Sequence, residues 1–250
     1  MSILVLLLAV FFLPLFPASV VFNRLAAASD HLAARVALFV IWPQIGVVLI
    51  LWGDLAVGPG VIAAWAVLSA ILYAFRMLTV REVGRWSAML ASSAWPLAWL
   101  YALQAPTAPS LVAFTLALTA APVLILVVRA ALASRLEAAY TGLHGGLARD
   151  LPRLSGLIVV TTLAAMALPL FPGFFALLAV LSGATLWVAI GILLTWLLWS
   201  WAGARLLEGT VFGPRSGPVA PDLSAFAAWW AALLIGLIVA AGLVWTGGAL

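Results

Sequence analysis

The sequence predicts an all-α, polytopic membrane protein with about eight transmembrane helices, one of them broken near 169–173, forming a single transmembrane domain over 1–250. Three observations predict it. Of the 250 residues 67% are hydrophobic and 7% charged, where a soluble domain carries roughly 25% charged residues. Apolar runs of about 20 residues, long enough to cross ~30 Å of hydrocarbon as helix, recur along the whole chain. All eleven basic residues are arginines, and they fall only in alternate connections. The net charge of +4 is therefore a topology signal and not a nucleic-acid surface. With no Cys in the chain, disulfides, thiolate metal sites and cysteine nucleophiles are excluded.

The first span covers about 2–22. It has no basic leading region, and Arg24 follows the apolar run, which predicts a retained helix whose C-terminal end is cytoplasmic. The second, about 36–53, contains Trp42-Pro43-Gln44, a proline kink beside a polar side chain. The third is about 59–76. The fourth, about 86–104, holds Ser92, Ser93 and Trp95-Pro96, and the fifth, about 110–129, holds Thr115, Thr119 and Pro122. Residues after Arg129 (RAALASRLEAAY) lack a breaker and extend the fifth helix beyond the membrane. The remaining spans are about 154–182, 184–205 and 224–247, with an irregular Gly/Pro-rich connection at 209–222.

Arginine placement supports this count. The connections after spans one, three, five and seven hold Arg24 and Arg35; Arg76, Arg81 and Arg85; Arg129, Arg135, Arg149 and Arg153; and Arg205 and Arg215. The other connections hold none. The positive-inside rule makes the arginine side cytoplasmic and puts both termini outside, in a multi-pass protein of a bacterial-type inner membrane.

The sixth span carries the most specific backbone instruction. As one straight helix its 29 residues would reach ~43 Å, longer than the bilayer needs. Two crossings would put Arg205 and Arg215 on the wrong side. The reading is one crossing broken at LPLFPG, since Pro169 and Pro172 cannot donate backbone hydrogen bonds and Gly173 adds freedom. Non-helical backbone at membrane depth must be covered by protein or line a water-filled cavity. Broken helices in transporters line ion routes. Pro169, Pro172 and Gly173, with Thr161 and Gln44, are thus candidate conduction residues; a proline kink without a role is the alternative.

No ionisable residue stands well inside a predicted span. Asp54 lies at the outer end of span two, and Arg76 and Arg129 at ends where snorkelling suffices. Gln44, Ser92, Ser93, Thr115, Thr161 and Thr162 can hold water but carry no charge. A proton relay needs intramembrane ionisable groups, so an autonomous pump is not expected. His31 and His144 fall in loops, without the three or four converging ligands of a metal site. No catalytic residue, cofactor or metal, and no enzyme activity of the chain by itself, is expected. Arg135, His144, Arg149 and Arg153 form a candidate docking face. Trp52, Trp86, Trp201 and Trp245 read as an aromatic belt, and Trp196, Trp199, Trp229 and Trp230 as lipid or subunit contacts.

The stretch GGLARDLPRL, a small-residue apolar run and LPLFPGFF, over 141–182, is similar to the antiporter-like subunits of respiratory complex I. That family includes Mrp-type cation/proton antiporters, membrane-bound hydrogenases and inorganic-carbon uptake pumps. Upstream, VREVGRWSAMLASSAW over 80–95 resembles the family's D-(L/I)-K-R-x-x-AYSS segment, with Arg85 on the basic position and Gly84 where the Lys stands. The resemblance covers roughly 60–206. The chain departs from the family where charges are expected. After PGF the family has FVGEF or FFSKDE; here Ala176, Leu177, Leu178 and Ala179 follow. The helix before the GGL turn often carries His or Lys; here it reads Phe114-Thr115-Leu116-Ala117-Leu118-Thr119. The resemblance implies a shortened relative, lacking the first half of a pseudo-symmetric pair, that packs against other membrane subunits and lipid, in an NADH:quinone oxidoreductase-like or other ion-translocating complex. Three functions follow as expectations: a non-pumping structural subunit, half of a proton or cation path completed by a partner, or a membrane anchor for a soluble enzyme.

Overall fold

The structure, a computed structural model, describes residues 3–53, 58–214 and 220–247. These residues are helical throughout, apart from turns and an isolated bridge between Glu82 and Tyr140. The helices are α1 (Ile3–Phe12), α2 (Ser19–Ala28), α3 (Leu32–Trp52), α4 (Pro59–Met77), α5 (Val83–Ala94), α6 (Pro96–Ala102), α7 (Ala108–Leu136), α8 (Leu147–Asp150), α9 (Pro152–Ala165), α10 (Pro172–Ser182), α11 (Leu186–Glu208) and α12 (Ala225–Gly247). Five of them, α3, α4, α7, α11 and α12, are long and apolar enough to cross a membrane. The chain is a polytopic membrane protein.

Local signals set the ends. Proline occupies the first turn of α4, α9 and α10, where its missing N–H removes no helical bond. Glu82 caps α5: its carboxylate accepts the N–H of Gly84 at 2.9 Å and of Arg85 at 2.5 Å. The extension of the fifth span past Arg129 is present, and α7 stops where Glu137 turns left-handed (φ 62°). The sixth span is broken as expected, into α9 and α10. The fourth is divided into α5 and α6 at Trp95-Pro96, whereas α3 stays helical through Pro43.

The post of the bundle is α7, with α3, α5, α9 and α10 packed on it; α11 lies along α4. The core is apolar and aromatic, with Trp95, Trp99, Phe22, Phe39 and Phe114 wholly buried. The last long helix, α12, rests on α9 and α10. A Cβ on Gly242 would come 2.8 Å from Pro172 Cγ, so this glycine lets α12 reach the start of α10. Most of the rest of α12 is exposed, including Trp229 and Trp230.

Two sequence expectations need correction. The first span is not one helix over 2–22. It ends at Phe12 and resumes at Ser19, with a cis Phe16–Pro17 peptide in the turn. The cause is visible in hindsight, because LPLFP at 13–17 repeats the pentapeptide at 168–172. Arg24 and Arg35 are also not loop residues. Arg24 lies in α2, and Arg35 in α3, which begins at Leu32. Asp54 and Arg215 lie outside the described residues, as do the two chain ends.

Candidate functional site: two helix breaks and an arginine cleft

The break between α9 and α10 holds Ala167 at φ 49° and Leu170 at φ 88°, positive values that side-chain-bearing residues rarely adopt. Pro169 and Leu170 are exposed, while Pro172 and Gly173 are buried. Several of its polar groups are satisfied locally. The Trp196 indole donates to Met166 O at 2.8 Å, and the Phe171 N–H to Leu168 O at 3.2 Å. Thr161 Oγ1 donates to Leu157 O at 2.8 Å, and Thr162 Oγ1 to Ile158 O at 2.7 Å. A cavity of about 10 Å³ touches Pro172 and Gly173 and is lined only by Ala, Leu, Ile, Phe, Pro and Gly. That is barely one water's volume, without the polar partners a buried water requires.

The break between α1 and α2 is built the same way, from tryptophans. The Trp99 indole donates to Leu13 O at 2.9 Å, Trp42 to Phe11 O at 3.2 Å and Trp65 to Phe16 O at 2.5 Å. The Phe16 N–H donates to Ser69 Oγ at 3.0 Å. Just beyond the turn Ser19 Oγ donates to Tyr73 Oη at 2.6 Å. Asn23 Nδ2 donates to Ser19 O at 2.8 Å and Ser92 Oγ at 3.0 Å, while its Oδ1 is buried without a partner. Unsatisfied backbone is not tolerated in hydrocarbon, and here indoles and hydroxyls supply what the helix lacks.

Other internal tryptophans correct the belt reading at Trp86 and the lipid- or subunit-contact reading at Trp196 and Trp199. Trp199 is 2% exposed and donates to Ser93 Oγ at 2.8 Å, and Trp95 donates to Thr119 Oγ1 at 3.0 Å. Trp86 is buried too. Trp196 and Trp199 are thus structural donors, whereas Trp52, Trp201 and Trp229 face outward.

The candidate conduction residues do not form one constellation. Gln44 sits on α3 and Thr161 on α9; both helices pack on α7, and no hydrogen bond joins the two side chains. Thr161 is fully buried and occupied by its own helix. Gln44 Nε2 is buried with no hydrogen-bond partner.

Of the candidate docking residues only His144 lies in the loop fastened to the end of α11; Arg135 is in the last turn of α7, Arg149 in α8 and Arg153 in the first turn of α9. Gly142 N–H donates to Gly209 O at 2.8 Å, and Gly146 N–H to Phe212 O at 3.1 Å. Each of the four side chains has its own surroundings. Arg135 donates to Ala131 O at 3.1 Å. His144 Nδ1 is buried without a partner. Arg149 is exposed on α8. Arg153 donates to Leu223 O at 3.0 Å, and its backbone N–H to Asp222 Oδ2 at 2.9 Å. Burial pushes the Asp222 carboxyl up, but the N–H groups of Arg153, Leu154 and Leu223 outweigh it and hold the group below its ordinary value.

Sequence reasoning missed the charged cluster at this end. Arg129 pairs with Asp30, and its Nε lies 3.6 Å from Glu82 Oε1. Hydrogen bonding to Arg129, with the attraction of its charge, lowers the Asp30 carboxyl below its usual range. Arg35 is only 4% exposed, and its guanidinium lies against Gly84, where a Cβ would come 2.6 Å from Nη1. The signal was the unusual glycine: the space a longer side chain would fill at 84 is taken by an arginine from another helix.

No family model matches the chain, and no curated protein sequence matches it. Solved structures do. A chain of respiratory complex I from Thermus thermophilus with bound NADH superposes with a TM-score of 0.79 at 22% identity, covering 94% of this chain and 52% of that one. A chain of the Mrp complex from Dietzia sp. DQ12-45-1b gives 0.81 at 14% identity, covering 96% and 55%. A chain of the membrane-bound sulfane sulfur reductase, an archaeal respiratory membrane complex, gives 0.76 at 16% identity, covering 95% and 44%. The fold is therefore that of a membrane subunit of respiratory complex I and Mrp antiporter complexes. The chain spans about half the length of those chains, each of which sits in a multisubunit membrane complex.

Proposed function

We propose that this chain is a non-pumping, antiporter-like integral membrane subunit with a structural role in a multisubunit proton- or ion-translocating, or redox-linked, complex of the inner membrane. It is read as crossing the membrane eight times, α1–α2, α5–α6 and α9–α10 each counting as one crossing, with both termini outside. The observation that carries the reading is the sealed α9–α10 break. Its hydroxyls bond their own helix, its cavity is small and apolar, and Ala176, Leu177 and Val180 beyond it are fully buried. A proton moving along this path would meet no group to carry it. The exposed Arg149, beside the loop held to α11, is where a soluble partner would dock.

The test is purification in mild detergent through a C-terminal tag, with mass spectrometry of what co-elutes. Recovery with larger membrane subunits is the expected result. A stable monomer without partners would overturn it.

One observation favours a second reading, in which the chain supplies half of a conduction path. Gln44 Nε2 is buried and unpaired, and would need a partner's acceptor or a water. Transport by the assembled complex should then fall in a Gln44→Leu variant that assembles normally; unchanged transport dismisses this reading.

A further inference from the structure

Between α2, α3, α4 and α5 lies a cleft of about 270 Å³ at the arginine-bearing end of the bundle. Four arginines line it. Arg35 is the buried one. Its Nε donates to Ala26 O at 2.7 Å, and its Nη1 is buried without a hydrogen-bond partner. Arg24, on α2, Arg76, in the last turn of α4, and Arg85, in the first turn of α5, are exposed. The Arg76 guanidinium stands over the Tyr73 ring, 5.7 Å from its centre. No acidic residue lines the cleft. The nearby Glu82 caps α5, and its charge acts on Arg35 as well as on Arg129, but it takes no hydrogen bond from Arg35 Nη1.

The charges of Glu82 and Asp30 offset part of the desolvation of Arg35, but its buried, unused N–H still carries a cost that an anion bonded there would relieve. A planar fork of donors suits a phosphate or carboxylate oxyanion. The second orphan group narrows the choice. Asn23 also lines the cleft, and its Oδ1 is fixed as the free acceptor because Nδ2 already donates twice. An acceptor takes an O–H group and repels an oxyanion. The occupant therefore combines an anion with a nearby hydroxyl. The rest of the lining is mostly Ala, Val and Met, compatible with the start of an acyl-glycerol. We propose that this cleft binds a phosphodiester anion carrying a neighbouring hydroxyl, and that its source is the headgroup of an anionic phospholipid. The same chemistry in soluble form would be a phosphate ester such as glycerol phosphate. The site stands independently of the subunit reading, since its test measures binding to this chain and not assembly or transport.

The experiment is native mass spectrometry of the full chain, purified with whatever co-elutes and titrated with phosphatidylglycerol, phosphatidylcholine or glycerol phosphate. Phosphatidylglycerol should bind in preference to phosphatidylcholine, and Arg35→Gln should weaken it about tenfold, the worth of one charge-assisted hydrogen bond. Arg205→Gln, exposed on α11 and outside the cleft, should leave binding unchanged. Binding of glycerol phosphate but not the lipid would keep the site and assign it to a soluble ligand. Equal binding of the two lipids without glycerol phosphate binding, or equal anion binding by wild type and Arg35→Gln, overturns the proposal. Where Arg35→Gln does not give monodisperse protein, the exposed double variant Arg24→Gln/Arg85→Gln decides, with weaker anion binding expected and unchanged binding overturning it.

Discussion

Replacing Trp99 with Phe keeps an aromatic ring in the core but removes the donor to Leu13 O. The carbonyl left behind belongs to the fully buried Leu13, in the first helix break. A loss of about 1–3 kcal/mol is expected, the usual cost of an orphaned buried polar group. Trp229→Phe, on an exposed face, should change stability by less than about 0.5 kcal/mol. Thermal unfolding midpoints in detergent compare the two; equal midpoints would show that the indole bond contributes nothing. The sequence could not distinguish these tryptophans. A belt residue and a buried donor carry the same letter, and only the breaks create the carbonyls that need donors. Arg35 was hidden similarly, because a start at 36 for the second span placed it in a loop. Moving that start to Leu32 buries the guanidinium beside Gly84, the one residue type that leaves it room.

Among elements, the break at 168–172 was legible and the one at 13–17 was not. Both carry LPLFP. The second stands in a run too long for one straight helix, which forces the backbone question. The first stands in a run of ordinary length, and hydropathy alone accepted it. The joint between α9 and α12 was equally invisible, since it depends on Asp222 reaching back to a helix start about seventy residues earlier in the chain. Its folded carboxyl titrates below the unfolded value near 3.9. The stability it contributes is therefore present above that value and is lost as pH falls through the lower, folded one. Asp222→Asn should be less stable than wild type at neutral pH, by about 0.5–2 kcal/mol if it resembles other lost helix caps. Below about pH 4 the gap should narrow as the wild-type carboxylate protonates. Unfolding midpoints across that range check it, and parallel curves for the two proteins would remove Asp222 from the account.

For the whole molecule, the all-α membrane class followed from composition, and the arrangement of arginines gave a topology that can be measured directly. The chain has no Cys, so single introduced cysteines report without background. With eight crossings, Arg81→Cys and Arg149→Cys should react with a membrane-impermeant thiol reagent only from the cytoplasmic side. Ala105→Cys and Gly183→Cys should react only from outside. Labelling of both pairs from one side would break the crossing count.

The shortness of α9 and α10 has a consequence for how the protein is made. Fourteen and eleven residues of helix reach only ~21 and ~17 Å, less than the hydrocarbon thickness. Neither can settle in lipid as an independent segment when it leaves the ribosome. The Met166 carbonyl, past the end of α9, is completed by the indole of Trp196, which is synthesised thirty residues later. We expect the nascent 152–182 segment to be retained by the insertion machinery until α11 arrives, whereas α12, long and apolar along its whole length, is expected to partition on its own.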